Sequence, residues 1–373
     1  MLRVLGRLGH KTDLVTYYAG GDVSIPGTSI YRCMRLPFKN IPIGFSFLKL
    51  LLDPVLYLLV IKRLLKNRYD VIDCVEEGIF VGLLAGPRRN AVLCYDVDSS
   101  LTEQLTARGG LWRVLAPLLR FLEKWAIGKC ACAVTVCPAL TDHVRELSPQ
   151  TPIFQIEDTP VVSQEALSAR REAELREELS LVGWKTVVYI GNFESYQGID
   201  LLLHGFARVV RKVPGCALIL VGGTEREVLE KKSLTPALGI EQYVRFIGFV
   251  PPQKAGVYLS LADVLVSPRC RGTNFPMKVY SYLASGKPVV ATDLPVHSQL
   301  LNGEIAVLAE PTPEGMAHGI AHLLTNPESG SSLAESAKRF VEEEFCDRAY
   351  ERKVAELYRW IAAEVSRRKA KKK

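Results

Sequence analysis

One stretch decides the fold: RGTNFPMKVYSYLASGKPVVATD, residues 271–293. It begins with a loop containing a glycine and a proline, continues as a short amphipathic segment that stops at a Ser-Gly pair, and ends in a Val-rich apolar run. This order predicts a loop, a helix, a turn and a strand. Counted from Arg269, the loop holds two arginines, a threonine and an asparagine but no carboxylate. The ligand that such a loop would face is therefore the first question the sequence raises.

The same alternation of apolar and amphipathic segments runs along the whole chain. The strand-like runs are TDLVTYY, DVIDCVE, AVLCYDVD and ACAVTVC in the first half and WKTVVYIGN, CALILVGG, YVRFIGFV, DVLVSP, PVVATD and IAVLAEP in the second. Helical segments between them, such as residues 45–65 and 110–128, favour parallel sheets with helices on both faces. At 373 residues the chain is also too long for one ordinary core. We predict an α/β protein of two Rossmann-like, doubly wound domains facing each other across a cleft, since ligands bind beyond the carboxyl ends of such strands.

The domain boundaries follow from QIEDTPVV, which closes one strand and precedes a highly charged helical segment. We expect a first domain at 1–160, a second at 161–350, and a C-terminal helix with a basic tail at 351–373. The first domain opens with the helix-like LRVLGRLGH instead of a strand and a glycine turn, so its usual first strand is predicted to be lacking. Two explanations stay open: a true start upstream of the recorded one, or a domain without that edge.

The charge and the cysteines limit the class of protein. The net charge is +6 over residues 1–150, −5 over 151–350 and +6 over 351–373. The basic ends fit anionic lipid or phosphorylated substrates better than nucleic acid, and a solvated tail that aids solubility is the alternative. The nine scattered cysteines are typical of buried residues in a reducing compartment. Cys130, Cys132 and Cys137 lack a fourth ligand at zinc spacing, so no metal is expected.

The ends and the apolar runs of the chain predict its location. The start has no signal-peptide core, and charged residues and a proline interrupt the most lipophilic region. We expect a cytoplasmic protein, at most peripheral to the inner face of a membrane.

Two segments of the second half are suited to an anionic ligand. In YIGNFESYQGIDLLLHGF a strand ends at Gly191 and Gly198 opens a helix, whose free N–H groups and positive dipole end favour a phosphate. Residues 273–276 begin a second helix in the same way. Either segment could also be an ordinary strand-to-helix turn, but both arise at the same end of one sheet.

From about residue 186 to 328 the sequence resembles the nucleotide-sugar domain of the retaining glycosyltransferases of family 4, which have the GT-B fold. The turn at Gly191-Asn192 and Tyr196-Gln197-Gly198 aligns with the family's GR…EKG, and TNFPMKVYSYLASGKPVVAT aligns with its EGFPLKxxEYLAAGKPVVAT. The resemblance also implies that the terminal helix, ERKVAELYRWIAAEV, crosses back onto the first domain.

The matching positions lack the family's charges. In the family, an Arg and a Lys of the turn neutralise the nucleotide diphosphate, and two Glu contact the donor sugar and the ribose. Here the first pair reads Asn192 and Gln197, and the second pair, which the resemblance assigns to the catalytic site, reads Thr273 and Ser281. Neutral hydrogen bonds are worth about half as much as charge-assisted ones, so we expect neighbouring cations to balance the phosphates. The donor-binding residues expected are Gly191, Asn192, Gln197, Gly198, Val250, Arg269, Arg271, Asn274, Phe275, Pro276 and Lys278; Val250 lies in the loop GFVPPQ that would meet the base through backbone atoms.

Polar residues follow two strands of the first domain. Asp98, in YDVDSSLTEQL, occupies the position where the resemblance places a His near the donor sugar, and is the candidate for contacting the sugar or handling a proton. A helix cap by Asp98 or Ser100 is the alternative. The candidate acceptor-binding residues are Glu76, Glu77, Asp96 and Ser99; for Glu76 and Glu77, a cap of the next helix is the alternative. His297 is expected near the nucleotide end of the cleft, with a capping or surface role as the alternative.

The sequence therefore predicts a glycosyltransferase that moves a sugar, with retention, from a nucleotide-diphosphate donor to a glycan or lipid-linked acceptor, without a metal or other cofactor. A non-catalytic nucleotide-sugar-binding or scaffold member of the same fold is the alternative, motivated by the four lost charges. An epimerase on the same architecture is disfavoured by the FPMKVYSYLASGKPVV match, and a dehydrogenase by the missing glycine fingerprint.

Overall fold

The computed structural model describes residues 1–35, 47–85, 91–106, 109–161 and 169–370. The chain divides into two compact units, one formed by Met1–Glu157 with Tyr350–Lys373 and the other by Asp158–Ala349. Each is an α/β unit built on parallel strands.

The strands are β1 Thr12–Thr16, β2 Thr28–Arg32, β3 Val71–Val75, β4 Val92–Val97, β5 Cys132–Thr135, β6 Ile153–Gln155, β7 Lys185–Ile190, β8 Cys216–Val221, β9 Val244–Gly248, β10 Val264–Ser267, β11 Val289–Thr292 and β12 Val307–Ala309. The helices are α1 Leu2–Arg7, α2 Phe47–Lys66, α3 Gly78–Ala85, α4 Leu101–Thr106, α5 Leu111–Val114, α6 Ala116–Lys129, α7 Pro138–Leu147, α8 Ala169–Glu178, α9 Ile199–Lys212, α10 Glu225–Lys232, α11 Thr235–Leu238, α12 Pro252–Ala255, α13 Val257–Ser260, α14 Met277–Ala284, α15 Pro295–Ser298, α16 Pro313–Thr325, α17 Pro327–Glu344 and α18 Asp347–Ala370. Short 3-10 turns lie at Ser195–Gln197 and Glu241–Tyr243.

The first unit contains a four-stranded parallel sheet in the order β3-β4-β5-β6 and a separate parallel pair, β1 and β2. Its core lies between the sheet and two helices: Val4 and Leu5 of α1 and Leu357 and Ile361 of α18 pack in one apolar cluster with Val92 and other residues of β4 and β5. The four strands predicted in this half are confirmed, as is the helical start. β2 was not predicted, and β6 was indicated only as the strand that QIEDTPVV closes.

The second unit has a six-stranded parallel sheet in the order β12-β11-β10-β7-β8-β9, and all six strands predicted there are confirmed. β8 pairs with one side of β7 and β9 follows it. The chain then crosses over, and β10 pairs with the other side of β7. In open parallel sheets a ligand crevice lies where the order reverses, beyond the carboxyl ends of the two central strands. That point lies between β7 and β10.

The two central strands separate at this end. Their ladder pairs Val187 with Val264 and Val188 with Leu265. Beyond it, the Tyr282 hydroxyl accepts a hydrogen bond from the Ile190 N–H (2.7 Å) and donates one to the Ile190 carbonyl (3.1 Å). A side chain thus satisfies backbone groups that a longer ladder would have used, which leaves the end of the crevice open to other side chains.

Candidate functional site

The turn after β7 is held close to the end of β10 by a glycine. Gly198 has φ 74°, and a Cβ there would lie 1.9 Å from the Pro268 carbonyl oxygen. The Cys270 N–H also donates to the Tyr196 carbonyl (2.9 Å). Because a Cβ cannot be accommodated so close to a backbone oxygen, glycine is required for the two segments to meet.

Lys278, in the first turn of α14, extends its ammonium group into this junction. Its Nζ donates to Gln197 Oε1 (2.8 Å) and lies 3.9 Å from the centre of the Tyr189 ring. A Cβ at Gly191 would be 3.2 Å from the same Nζ and 2.8 Å from the Tyr189 hydroxyl. The predicted donor residues Gly191, Gln197 and Lys278 therefore lie together.

Arg269 lies on the other side of the junction and is 8% exposed. Its Nε donates to the Arg271 carbonyl (2.8 Å), its Nη2 donates to Asn274 Oδ1 (2.9 Å), and its guanidinium carbon lies 5.0 Å from the centre of the Tyr196 ring. These contacts fix a planar cation inside the loop that the sequence singled out.

The two cations influence each other. Burial lowers the pKa of Lys278 well below its usual value, and the positive charge of Arg269 lowers it further. No described carboxylate forms an ion pair with Lys278. An anion bound here would therefore gain from both charges and would raise the pKa of Lys278 towards its ordinary value.

His297 supports this loop from beneath and does not face a ligand, since it is completely buried. Its Nδ1 lies 3.0 Å from the Thr292 carbonyl oxygen, which can only accept, so this nitrogen carries the proton. Its Nε2 then accepts from the Ser267 hydroxyl (2.8 Å). The Thr292 hydroxyl in turn donates to the Arg269 carbonyl (2.5 Å). Burial is the main cause that lowers the pKa of His297 to about 3, so the ring is neutral at physiological pH.

Thr273 and Ser281, which were predicted for the catalytic site, form hydrogen bonds with other segments of the second unit. The Thr273 carbonyl accepts from Gln299 Nε2 (2.8 Å), and the Ser281 hydroxyl oxygen accepts from the Val161 N–H (3.0 Å). Ser281 thus holds the segment that leads into the second unit.

The remaining predicted donor residues differ in exposure. Asn192 and Arg271 are exposed, whereas Phe275 and Pro276 are buried and Val250 is partly exposed. The Phe275 ring packs on Tyr280 with ring centres 5.0 Å apart. Phe275 therefore contributes its side chain to the core, and Arg271 is available to solvent.

In the first unit the structure brings Glu76 and Ser99 together at the ends of β3 and β4. The Ser99 hydroxyl donates to Glu76 Oε1 (2.8 Å), and Gln104 Nε2 donates to the same oxygen (3.2 Å). Glu76 has φ 46°, a left-handed conformation unusual for a residue with a Cβ, and its N–H donates to the Asp96 carbonyl (3.1 Å). Glu77, Asp96 and Asp98 are partly exposed at the same strand ends.

Glu123, which was not predicted from the sequence, organises the loop after β4. This residue of α6 is 1% exposed and accepts hydrogen bonds from the Ser100 hydroxyl (3.3 Å), the Leu101 N–H (3.2 Å) and the Thr102 hydroxyl (2.6 Å). His143 Nε2 lies 3.3 Å from its Oε1. Burial pushes the pKa of Glu123 up, but the contacts with His143, Thr102 and Ser100 outweigh it and leave that pKa lowered. The available signal was a lone acidic residue inside the apolar run FLEKWAI.

The aromatic residues Tyr189 and Tyr282 were also missed, because aromatic side chains in strands and helices usually indicate core.

Within the described ranges, no group of three or more His, Cys, Asp or Glu is placed to hold a metal ion. In the same ranges, no helix has the length and apolar character needed to cross a bilayer.

Residues 184–326 match a family model described as "Glycosyl transferases group 1". Two curated relatives are similar to larger parts of the chain. An alpha-D-kanosaminyltransferase of Streptomyces kanamyceticus is 26% identical over 67% of this chain and 65% of its own length. A phosphatidyl-myo-inositol mannosyltransferase of Mycobacterium leprae is 25% identical over 82% of this chain and 76% of its own length.

Two solved structures show the fold. Sucrose-phosphate synthase from Thermosynechococcus elongatus superposes with a TM-score of 0.80 at 20% identity, covering 97% of this chain and 92% of its own. HepE from Anabaena, solved in complex with UDP, gives 0.71 at 16% identity over 89% of this chain and 86% of its own. The predicted α/β fold of the GT-B type is confirmed. The matches also confirm the predicted enzyme class, a glycosyltransferase.

Proposed function

We propose that this protein transfers a sugar, with retention, from a nucleotide-diphosphate sugar to a glycan or lipid-linked acceptor. The observation that supports it is the pair of cations beyond the ends of β7 and β10, where the strand order of the second unit reverses. Arg269 is buried in the loop after β10, and Lys278 approaches from α14 to bond the turn after β7. A diphosphate is the ligand whose charge two such groups would balance.

The chemistry asked of these groups is electrostatic. When the bond between the anomeric carbon and the diphosphate oxygen breaks, negative charge builds on the leaving group. An ammonium and a guanidinium held in place beforehand stabilise that charge without reorganisation. The N-terminal N–H groups of α9 and α14 add further positive potential at the same edge. Since side-chain cations supply this charge, we propose that donor binding needs no divalent metal and survives EDTA.

Retention and membership of family 4 rest on the matched sequence motif. In such a reaction the acceptor hydroxyl attacks from the face that the diphosphate leaves. The acceptor side is proposed to include Asp98, Glu76, Glu77, Asp96 and Ser99. We further propose a reducing, cytoplasmic compartment, because the nine cysteines are scattered along the chain and six of them are buried.

Isothermal titration with UDP, UMP and uridine, and with the guanosine series, tests the proposal directly. If the cations bind the diphosphate, affinity rises along uridine, UMP and UDP, and one base series binds more tightly than the other. Equal affinity for UDP and uridine, or no binding of any of them, would refute the proposal.

A non-catalytic member of the same fold is the second candidate, and the Ser281 contact favours it. The hydroxyl at a position where the family has a sugar-site carboxylate is occupied by the Val161 N–H. Sugar transfer from the preferred donor, followed by mass spectrometry of added glycan or lipid acceptors, separates the two. Nucleotide binding without transfer or donor hydrolysis supports the scaffold, whereas turnover that Asp98→Asn reduces without changing UDP affinity supports the enzyme.

A further inference from the structure

One surface of the first unit is apolar and exposed along two consecutive helices. Val114 of α5 is 75% exposed, and Leu118, Phe121 and Trp125 of α6 are 53%, 62% and 43% exposed. Their spacing of four, three and four residues places them on one side of successive turns. These four residues are called the α6 stripe.

The stripe is not needed for the core of the unit. Helix α6 has another apolar face, formed by Leu119, Ala126 and Ile127, which are 8%, 1% and 0% exposed. A helix with one buried apolar face and a second one in solvent carries more apolar surface than folding requires. Large apolar side chains exposed side by side mark an interaction surface.

The exposed charges of α5 and α6 themselves are all basic. Arg113, Arg120, Lys124 and Lys129 of the same two helices are all exposed, whereas Glu123, the acidic residue of these helices, is 1% exposed. At 100° per residue, Arg113, Arg120 and Lys124 border one side of the stripe and Lys129 lies at its C-terminal end. Arg120 forms an exposed ion pair with Glu146 of α7, a contact that contributes little in water. The partner of this surface should therefore be apolar and negatively charged.

We propose that α5 and α6 lie in the plane of an anionic phospholipid bilayer, with the α6 stripe at the boundary between head groups and acyl chains and the basic side chains against lipid phosphates. Amphipathic helices with Trp, Phe and Leu on one face and Lys and Arg beside them bind membranes in this way. Trp is favoured at the interfacial depth. A second copy of the chain fits less well, because a self-complementary contact would bring two basic borders together.

The opposite face of α6 connects this surface to the acceptor side. There Glu123 bonds Ser100, Leu101 and Thr102, the residues that follow Asp98 and Ser99. A bilayer against the stripe would lie next to the helix that positions this loop. This position of α6 favours an acceptor attached to a membrane lipid over a free glycan, an inference that rests on the proposed function.

The test is flotation of the full-length protein with vesicles. We compare vesicles of phosphatidylcholine alone with vesicles of equal parts phosphatidylcholine and phosphatidylglycerol, at low and high salt. The variants are Phe121→Gln/Trp125→Gln, which removes apolar area, and Arg113→Gln/Lys124→Gln, which removes charge. Leu229→Gln is the matched control, because Leu229 is 68% exposed on α10 in the second unit. Melting temperature and UDP affinity are measured for every variant.

Wild-type protein and the Leu229 control should bind anionic vesicles at least about tenfold more tightly than neutral ones, with binding weakened by salt. The apolar double variant should lose about tenfold or more in partitioning, since two large side chains leave the interface, and the charge variant should lose the preference for anionic lipid. Unchanged UDP affinity in these variants separates a failure of this proposal from a failure of the proposed function. Wild-type protein that stays with the aqueous fraction, variants that float like wild type, or a dimer that the apolar variant converts to monomers would overturn it.

Discussion

Replacing Lys278 by Met separates donor binding from stability. The substitution keeps the length and apolar stem of the side chain but removes the ammonium that bonds Gln197 at 2.8 Å. A charge-assisted hydrogen bond to a phosphate oxygen contributes about 1.5–3 kcal/mol. UDP affinity should therefore fall roughly 10- to 150-fold, while uridine affinity stays the same because uridine carries no phosphate.

Stability should change little, since two effects of this substitution oppose each other. The lowered pKa of Lys278 means that the folded state disfavours its charge below the ordinary lysine pKa, so removing the ammonium is stabilising at neutral pH. The variant also leaves Gln197 Oε1 without this partner in a residue only 8% exposed, which costs about 1–3 kcal/mol. The net change in unfolding free energy should stay within about 1–2 kcal/mol.

The assay combines isothermal titration with urea unfolding. Lys212→Met is the matched control, because Lys212 ends α9 of the same unit and is exposed; it should leave both quantities unchanged. If Lys278→Met binds UDP like wild type while folding normally, the ammonium does not contact the diphosphate.

Three further predictions concern residues that hold turns, loops and helices in place within each unit. Gly198→Ala should destabilise the second unit by about 3 kcal/mol or more. Gly239→Ala is the control, because Gly239 has φ 68° and no atom lies within 4 Å of the added Cβ; it should cost only about 1 kcal/mol. Equal losses of unfolding free energy in urea would contradict a steric clash at Gly198. The contact with Glu123 raises the pKa of His143. This histidine should therefore stabilise the fold below its unfolded pKa of about 6.5 and lose that contribution as pH rises through its raised folded pKa. His143→Gln should remove this pH dependence of the unfolding free energy, and an unchanged pH profile would argue against the pair. His297 should keep the NMR signals of a neutral Nδ1–H ring from pH 8 down to about 5, assigned with His297→Gln, and a titration near 6.5 would contradict its buried placement.

The strands of the second unit were predictable because each is an apolar run between turn residues, and β7, β8, β10 and β11 are largely buried and rich in Val, Ile or Leu. β2 was missed, and β6 was indicated only by the junction that closes it, for a physical reason. Their sequences, TSIYR and IFQ, are short and largely half-buried, so neither periodicity nor apolar content distinguishes them from loops. β1 is also half-buried, but it lies in the longer apolar and aromatic run TDLVTYY, which identified it as a strand.

The candidate site was predictable in its location and only partly in its contacts. The loop starting at Arg269 and the glycine turn before α9 were found because parallel strands end at one edge. The bond between Lys278 and Gln197, which are 81 positions apart, depends on the separation of two strands and had no local signal. The role of Glu123 was hidden in the same way, because its partners come from two other elements of the first unit. The position of His297 was expected near a nucleotide, whereas the structure uses it to hold backbone and hydroxyl groups behind the loop.

We propose that Arg269 and Lys278 hold the diphosphate of the donor. A crystal structure of the protein with UDP measures this most directly. Phosphate oxygens should lie within about 2.7–2.9 Å of Lys278 Nζ and of an Arg269 guanidinium nitrogen. Phosphates bound elsewhere on the second unit, with both cations still in their present contacts, would contradict it.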